Sequence, residues 1–334
     1  MNQSTNEETP NMVSIDGIVD SPTDKAKEIP RRTPFEFIKK NLKKHWPLYL
    51  FLLPTVLYFI IFHYIPMYGV QIAFKDFYAN LGITGSPWVG IKHFERFFNS
   101  YYFERLLTNT LALSLYGLAL FPLPIIFSLM LNELRDSRFK RWSQTITYAP
   151  HFISVVVVVG MLIAFLDPAT GIVNHIIQFF GGESISFLTD PGWFRHIYTW
   201  SGQWQGLGWN TIIYLAALSG VSPELHEAAK VDGATRFQRV IHINLPSILP
   251  TIITLFILSL GSFMSTGFEK VLLMQNSLNS PTSDIIQTFV YEAGLIGGQY
   301  SFAAAVGLFE SVINIILIVL ANYSSKKVSE NSLW

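Results

Sequence analysis

The sequence contains no cysteine and few charged residues. The absence of cysteine excludes disulfides, thiolate metal sites and cysteine nucleophiles. It does not indicate the redox compartment of the protein. Charged residues make up 14% of the chain, whereas soluble domains have about 25%. Lys+Arg and Asp+Glu are balanced at 23 each, so no net charge favours nucleic acid. Because half of the residues are hydrophobic, the composition predicts a membrane protein.

Motifs for catalysis are also missing. The chain has no Gly-Lys-Ser/Thr loop that could hold the phosphates of ATP. The eight histidines are dispersed and lack metal-ligand spacing. Residues 182–184 lack the Gly-x-Ser-x-Gly order of a nucleophile elbow. We therefore expect no catalytic residue, no metal site and no cofactor on this chain.

Long apolar runs dominate the sequence after its polar beginning. A helix needs about 20 mostly apolar residues to cross a bilayer. Six runs meet this length: residues 47–73, 108–131, 146–166, 198–218, 248–272 and 302–322. The fourth is the weakest because Gln203, Gln205 and Asn210 interrupt it. The runs predict an all-α membrane protein with a six-helix transmembrane domain over residues 47–323.

The distribution of Lys and Arg predicts the orientation. Most of them lie in the N-terminal region, after the second run, after the fourth run and in the tail, so both termini should be cytoplasmic. Residues 1–32 are expected to be disordered and cytoplasmic, and they lack the apolar core of a cleaved signal peptide. Residues 33–46 predict an amphipathic helix on the inner leaflet, either a basic anchor or a contact for a partner. Residues 324–334 are the expected cytoplasmic tail.

A polar segment, residues 221–247, separates the fourth and fifth runs. Residues 227–230, Glu-Ala-Ala-Lys, are good helix formers. Gly233 can take the backbone angles of a tight turn, and Pro246 and Pro250 are expected to stop or kink the following helix. The pattern predicts two short helices with a sharp bend, exposed to water and fixed at both ends to membrane spans. Such a segment suits the transmission of force from a soluble partner.

The same segment resembles the coupling motif of the permease subunits of binding-protein-dependent ABC importers, in particular the carbohydrate-uptake branch. That motif reads Glu-Ala-Ala, then Gly four residues later, then Ile-x-Leu-Pro. It is matched by Glu227, Ala228, Ala229, Gly233, Ile243, Leu245 and Pro246, and Asp232 and Ala234 match its extended form. His226 departs from the Tyr that is frequent there. The resemblance implies that these residues, from Glu227 to Pro246, dock on an ATPase.

Further matches extend the resemblance from about residue 35 to residue 322. They include residues 148–154, residues 208–209 and residues 267–269, and they resemble permeases for complex oligosaccharides, polysaccharide fragments and so-called lipoprotein transport. The resemblance implies a type I importer permease in the bacterial plasma membrane, crossing it several times. It also implies a second permease, two ATPase subunits that carry ATP and Mg, an extracellular solute-binding protein, an oligosaccharide substrate and surrounding lipid, but no nucleic acid.

Several residues of the fourth and fifth runs are candidates for the substrate pathway. In the fourth run an aromatic ring can cover the apolar face of a sugar while an amide bonds its hydroxyls; an aromatic belt at the outer interface is the alternative. In the fifth run, which also carries Ser259, Ser262 and Ser265, close helix packing is the alternative. The candidates are Trp200, Gln203, Trp204, Trp209, Asn210, Phe263, Phe268 and Glu269.

Glu310 lies near the middle of the sixth run. A carboxylate at membrane depth needs a polar partner, so we expect it to face the bundle interior or the second permease. Two alternatives to an oligosaccharide importer stay open. One is an ABC permease for another solute, and the other is a secondary carrier, which would need ion-coupling carboxylates in broken helices.

Overall fold

The computed structural model describes residues 34–134, 138–265 and 267–329, and their side chains from 44 to 327. The chain divides into two compact units, Met1–Ile65 and Pro66–Trp334. The described residues form helices and a single isolated bridge between Lys75 and Trp88, without a strand. The predicted disorder of residues 1–32 and the last residues of the tail, 330–334, lie outside the described residues.

Within the described residues, the first unit consists of α1 (Pro34–Phe59), which is two helices joined across a kink, followed by a π-helical turn, Ile60–Tyr64. His45 leaves the helical conformation, with φ −118° and ψ 22°. It lies two residues before Pro47, whose ring clashes with the carbonyl of the preceding turn and kinks the helix. The kink falls beside the predicted boundary between interfacial helix and first span. The side chains of residues 34–43 lie outside the described part, so the amphipathic face stays a prediction.

The second unit is a bundle of helices joined by short irregular segments. Its elements, with the turn that enters it, are α2 (Ile65–Met67), a 3-10 helix (Tyr68–Phe74), α3 (Gly82–Gly85), α4 (Lys92–Phe98), α5 (Phe103–Ala119), α6 (Pro122–Glu133), α7 (Arg138–Tyr148), a 3-10 turn (Ala149–Phe152), α8 (Val155–Leu166), α9 (Ile172–Phe179), α10 (Pro191–Ser219), α11 (Pro223–Val231), α12 (Arg236–Arg239), a π-helical turn (Val240–Asn244), α13 (Leu245–Leu260), α14 (Phe268–Met274), α15 (Ser280–Ser283), α16 (Ile286–Tyr291), a π-helical turn (Glu292–Ile296) and α17 (Tyr300–Ser329).

Four helical stretches in the described part are long and apolar enough to cross a membrane: Lys44–Phe74, Phe103–Glu133, Arg236–Leu260 and Tyr300–Lys327. A fifth forms if the bent pair Arg138–Phe152 and Val155–Leu166, at 101° to each other, is counted as one broken span. The fourth predicted run lies in α10, a helix of 29 residues. Its polar residues keep it outside this apolar set, although its length exceeds the roughly 20 residues that a span needs.

The predicted fifth run, 248–272, is not one helix, and this part of the prediction was wrong. The helix begins earlier, at Arg236, and α13 ends at Leu260. Residues 261–265 form turns before α14 starts at Phe268. Gly261 allows α17 to come close, because a Cβ on it would lie 2.9 Å from Cδ1 of Ile318. A hydropathy average over the run conceals this break, since the turn residues are themselves small or apolar.

The polar helix α10 packs inside the second unit. A Cβ on Gly208 would lie 2.2 Å from the backbone oxygen of Thr147, so α10 and α7 meet backbone to backbone. Further down α10, Tyr214 and Leu218 join a buried cluster with residues of α6 and α13. In lipid, helices associate through close packing and buried hydrogen bonds rather than through the hydrophobic effect. This explains how a helix with several amides is retained in an apolar bundle.

Candidate functional site

Residues 221–247 form the coupling segment, named after the motif it carries. Its first helix, α11, begins at Ser222, whose hydroxyl accepts a hydrogen bond from the N–H of Glu224 at 3.3 Å. It ends at Val231, and Gly233, two residues later, has φ +77°. The N–H of Ala234 then donates to the oxygen of Ala229 at 2.8 Å, which closes the helix end. The predicted sharp turn at Gly233 is confirmed, because this left-handed conformation favours glycine.

The second half of the coupling segment differs from the prediction. Thr235 and Gln238 form a reciprocal cap that starts α12. α12 then runs through the π-helical turn Val240–Asn244 into α13, so it is the beginning of the apolar helical stretch Arg236–Leu260 and not a separate short helix. Pro246 does not stop the helix, because it sits just after the wide turn, in the first turn of α13 where proline is tolerated. Pro250 likewise lies inside α13.

The coupling segment is tied to the bundle at its foot. Asn244 is fully buried, and its amide donates to Oε1 of Glu133 at the end of α6, at 3.3 Å. One turn later Ile248 is fully buried against residues of α6 and α10. Arg239 donates to the oxygen of Ala234 at 3.0 Å and braces the bend. The bend and the start of the stretch Arg236–Leu260 are thus held against the bundle by hydrogen bonds and packing.

The outer face of the coupling segment is exposed and partly apolar. Val231 is 88% exposed, Phe237 73% and Leu225 52%. The motif residues divide between exposed Glu227, Ala228, Asp232, Gly233 and Pro246 and half-buried Ala229, Ala234 and Leu245. An exposed apolar patch with a neighbouring carboxylate is typical of a protein docking surface.

A cavity of about 430 Å³, called the inner cavity from here on, lies between α5, α6, α10, α13 and the turns that follow α13. Of the predicted pathway residues, Gln203, Asn210 and Phe263 line it, together with Ser259, Ser262 and Ser265. Sequence reasoning missed Tyr198, Tyr214 and Ser114, which also line it. Tyr214 lies four residues after Asn210, so a search for polar residues on one helical face could have found it. Tyr198 lies five residues before Gln203, a spacing that does not place both on one face. Amides, hydroxyls and aromatic rings in one concave site can bind a polyhydroxylated molecule.

The remaining pathway candidates do not line this cavity. Nε1 of Trp200 donates to the hydroxyl of Tyr116 at 2.9 Å. Trp204 is 48% exposed, and Trp209 is stacked on His151 with ring centroids 4.3 Å apart. All three indoles are about half exposed. In the fifth run, Phe268 packs on Tyr291 with centroids 5.4 Å apart, and Glu269 is exposed.

The broken part of the fifth run is held by two residues of α17. Asn314 accepts from the N–H of Met264 at 2.9 Å and donates to Oγ of Ser265 at 3.2 Å. Oε1 of Glu310 accepts from that Oγ and from Nε2 of Gln287, each at 3.0 Å. Glu310 is 6% exposed, which confirms that it faces the bundle interior. The polar network compensates for backbone bonds that the break removes.

A buried cation near this cavity was not anticipated from the sequence. Lys270 is 7% exposed, its Nζ donates to the backbone oxygen of Tyr198 at 2.9 Å, and it lies 5.1 Å above the ring of Tyr198. The described residues contain no group of three or more His, Cys, Asp or Glu side chains that could hold a metal.

The bundle of apolar helices with an exposed motif segment between two of them defines a permease subunit, a multi-pass membrane protein with a type I permease fold. Residues 121–330 match the family described as binding-protein-dependent transport system inner membrane component, and the chain belongs to that family. Its members are non-catalytic membrane components of ABC importers, which confirms the resemblance of the motif.

Two relatives from Bacillus subtilis (strain 168) match nearly the whole chain. Protein LplB is 50% identical and covers 88% of this chain and 92% of its own length. The polygalacturonan/rhamnogalacturonan transport system permease protein YteP is 47% identical, covering 86% and 90%.

Solved structures match in fold and in sequence. The chain is similar to one chain in the crystal structure of a bacterial ABC transporter involved in the import of the acidic polysaccharide alginate, with a TM-score of 0.82 and 41% identity. The match covers 88% of this chain and 99% of that chain. The same importer in complex with an alginate pentasaccharide-bound periplasmic protein gives a TM-score of 0.81.

Proposed function

We propose that this chain forms part of the translocation pathway for an oligosaccharide that an extracellular solute-binding protein delivers. It pairs with a second permease, and two separate ATPase subunits, which carry the ATP and Mg, drive it. The observation that carries the proposal is the coupling segment, a capped and braced projection whose exposed face bears the motif. The names of the relatives, which refer to polygalacturonan/rhamnogalacturonan transport and to the import of the acidic polysaccharide alginate, support a sugar substrate. No cofactor is assigned to this chain itself.

The proposed topology has six spans with both termini in the cytoplasm. The apolar helices supply up to five of them, and α10 supplies the remaining one with 29 residues. Because α10 is packed against α6, α7 and α13, it needs less apolar surface than a helix surrounded by lipid. The excess of Lys and Arg at the predicted inner ends favours this orientation. It places the coupling segment on the side of the ATPase.

The continuous helix from α12 to α13 suggests how coupling works. Leu225, Val231 and Phe237 would dock on the ATPase, and closure of the ATPase dimer would displace the bend at Gly233. The displacement passes along Arg236–Leu260, a single stretch of 25 residues. Beyond Leu260 the chain continues into the turns of residues 261–265, which line the inner cavity. The docking surface and the cavity are thus two ends of one element, so both can bias the same equilibrium.

The inner cavity is the proposed substrate contact of this subunit. Gln203 and Asn210 would bond sugar hydroxyls, and Phe263 would cover an apolar sugar face. Trp200, Trp204, Trp209, Phe268 and Glu269 lie outside this cavity, and we assign them to the surface that faces the second permease and the shared pathway. Both surfaces would contact the sugar as the two permeases move apart and together.

Two variants separate coupling from substrate contact. Gly233→Val forces a branched side chain into a left-handed turn, so we expect normal insertion but loss of most substrate-stimulated ATP hydrolysis and uptake. Gly233→Asn, which tolerates this conformation, should retain much more of both activities.

Gln203→Ala should lower uptake while the ATPase still co-purifies. The measurements are ATP hydrolysis and oligosaccharide uptake in reconstituted vesicles with the binding protein. Unchanged coupling in Gly233→Val would contradict the proposed role of the segment.

A further inference from the structure

A second and larger cavity, of about 620 Å³, lies at the start of the helical stretch Phe103–Glu133. The other end of that stretch, at Glu133, meets Asn244 of the coupling segment, so the cavity lies at the far end of the bundle from that segment. It is formed where the end of α4 and the start of α5 meet α16, the following π-helical turn and the start of α17. Arg96, Tyr101, Tyr102, Arg105, Asp284 and Glu292 are among its lining residues. The cavity shares none of its lining residues with the inner cavity. In the proposed orientation it opens to the outside.

The two arginines are held in fixed positions. The guanidinium of Arg96 lies 4.2 Å above the ring of Phe302 and donates to Oε1 of Gln299 at 2.7 Å. Arg105 is paired with Asp284 at 2.5 Å and lies 5.3 Å from the ring centre of Tyr102. The pKa of the Asp284 carboxyl is raised above its ordinary value, because the effect of burial exceeds the opposing effects of Arg105 and of the hydrogen bond from Gln275. Guanidiniums fixed in this way lose little side-chain entropy when they bind a ligand.

An exposed aromatic ring stands at the same cavity. Tyr101 is 88% exposed, and its ring contacts that of Tyr102 edge-on with centroids 5.6 Å apart. Tyr102 in turn packs on Phe289 with centroids 5.7 Å apart. The ring of Tyr101 is therefore almost entirely open to a ligand. An amphipathic ring with a free face suits a ligand that has both apolar and polar sides.

Three polar atoms of the cavity wall have no hydrogen-bond partner in the described part of the chain. They are Oγ of Ser100, Nε of Arg105 and Oε1 of Gln275, and all three are buried. Leaving a buried donor or acceptor without a partner is unfavourable. These atoms are closed off from solvent, so they mark unmet polar bonding capacity behind the cavity wall rather than groups that already face a ligand.

Smaller cavities adjoin on both sides. One of about 420 Å³ shares Gln275, Asp284 and Glu292 with the large cavity. Another, of about 290 Å³, shares Arg96, Gln299 and Phe302 with it. The three cavities form a row along one end of the bundle. A row of this kind suits an extended chain of several rings better than a single ring.

We propose that this row is an external oligosaccharide-binding subsite, which holds the sugar chain as it leaves the solute-binding protein. Tyr101 stacks on one ring, and Arg96 and Arg105 bond its hydroxyls or carboxylates. The proposal rests on the proposed function, because that function supplies the orientation and the substrate class. The subsite would favour extended substrates, which can reach from the external row toward the inner cavity.

The test uses the complete importer in lipid nanodiscs without its binding protein. The probes are an alginate pentasaccharide and a neutral maltopentaose, so that the charge preference is measured together with binding. We expect one or both to bind, and Tyr101→Ala to raise Kd about tenfold, which corresponds to about 1.4 kcal/mol. Tyr101→Phe, which keeps the ring, should stay within about twofold. Arg96→Gln should weaken binding as well, most strongly for the alginate probe.

Docking of the sugar-free binding protein is measured in parallel and should not change in these variants. Equal sugar affinity in wild type, Tyr101→Ala and Arg96→Gln overturns the subsite, as does loss of binding-protein docking with sugar affinity intact. The second result would make the row a protein interface. If the wild-type importer takes up an oligosaccharide but binds neither probe in this assay, only the subsite fails. If it takes up no oligosaccharide, the proposed function fails with it.

Discussion

At the residue scale, Glu310 shows how one carboxylate can order several elements. Its Oε1 accepts from Ser265 after α13 and from Gln287 in α16, each at 3.0 Å. Ser265 also lines the inner cavity. The carboxylate therefore acts on the cavity wall through Ser265 and is a positioning residue. The sequence predicted that it faces inward, because an intramembrane carboxylate needs partners, but not which partners.

Replacement of Glu310 tests this role. Glu310→Leu leaves the donors of Ser265 and Gln287 without an acceptor, which costs about 1–3 kcal/mol for each. We expect a lower thermal unfolding temperature and a raised KM for uptake. Glu310→Gln keeps an acceptor oxygen at the same place and should restore most of the KM. Wild-type assembly and transport in Glu310→Leu would show that the network does not position the cavity wall.

Individual residues also differ in how well the sequence predicts their conformation and their place in the site. The turn at Gly233 could be predicted, because its backbone angle is a local property that few residues tolerate. Gln203 and Asn210 stood out as amides in an apolar run. Lys270 and Tyr198 did not, because neither a charge at the end of a run nor a tyrosine within one is unusual. Their contact joins residues 72 positions apart, and such pairs exist only in the folded chain.

At the element scale, the fifth run shows the limit of hydropathy. The sequence predicted one helix over residues 248–272, yet residues 261–265 form turns. The N–H of Met264 bonds to Asn314 of α17 instead of continuing the helix. The close approach at Gly261 brings α17 near enough to supply such bonds. Whether a span is broken thus depends on a neighbour that can satisfy the freed backbone groups.

The packing of α10 on α7 gives a prediction about elements. Gly208→Ala would place a Cβ 2.2 Å from the backbone oxygen of Thr147, where no side-chain movement can relieve the clash. The two helices must separate, at a cost of about 1–3 kcal/mol or more. Gly160→Ala in α8 is the matched control, because nothing lies within 4 Å of its added Cβ. Thermal unfolding of the two purified variants should differ by several degrees, and equal unfolding temperatures would refute the close packing.

At the scale of the whole molecule, the chain divides its polar features between two ends. The coupling segment lies at one end, with Val231 88% exposed, and the external row lies at the other, with Tyr101 88% exposed. Between them lie the helical stretch Arg236–Leu260 and the inner cavity. This arrangement agrees with the proposed function, in which the coupling segment contacts the ATPase and the opposite end receives the solute.

The absence of cysteine makes the orientation directly testable. Val231→Cys and Tyr101→Cys each introduce a single thiol into an otherwise thiol-free chain. With a membrane-impermeant maleimide, we expect Tyr101→Cys to react in intact cells and Val231→Cys to react only after permeabilisation. Labelling of both from the same side would contradict the proposed topology. A tagged chain without any substitution serves as the unlabelled control.

The sequence by itself determined the class of this protein and its coupling segment. Apolar runs, the shortage of charge and a local turn around glycine depend on residue types and short spacings, which act before any long-range contact forms. The tertiary structure alone decided which polar side chains meet in the inner cavity, where the predicted fifth run breaks, and that Arg96, Tyr101 and Gln275 line one cavity. These outcomes depend on how each helix is rotated against its neighbours, and that rotation is set by packing between residues far apart in the chain.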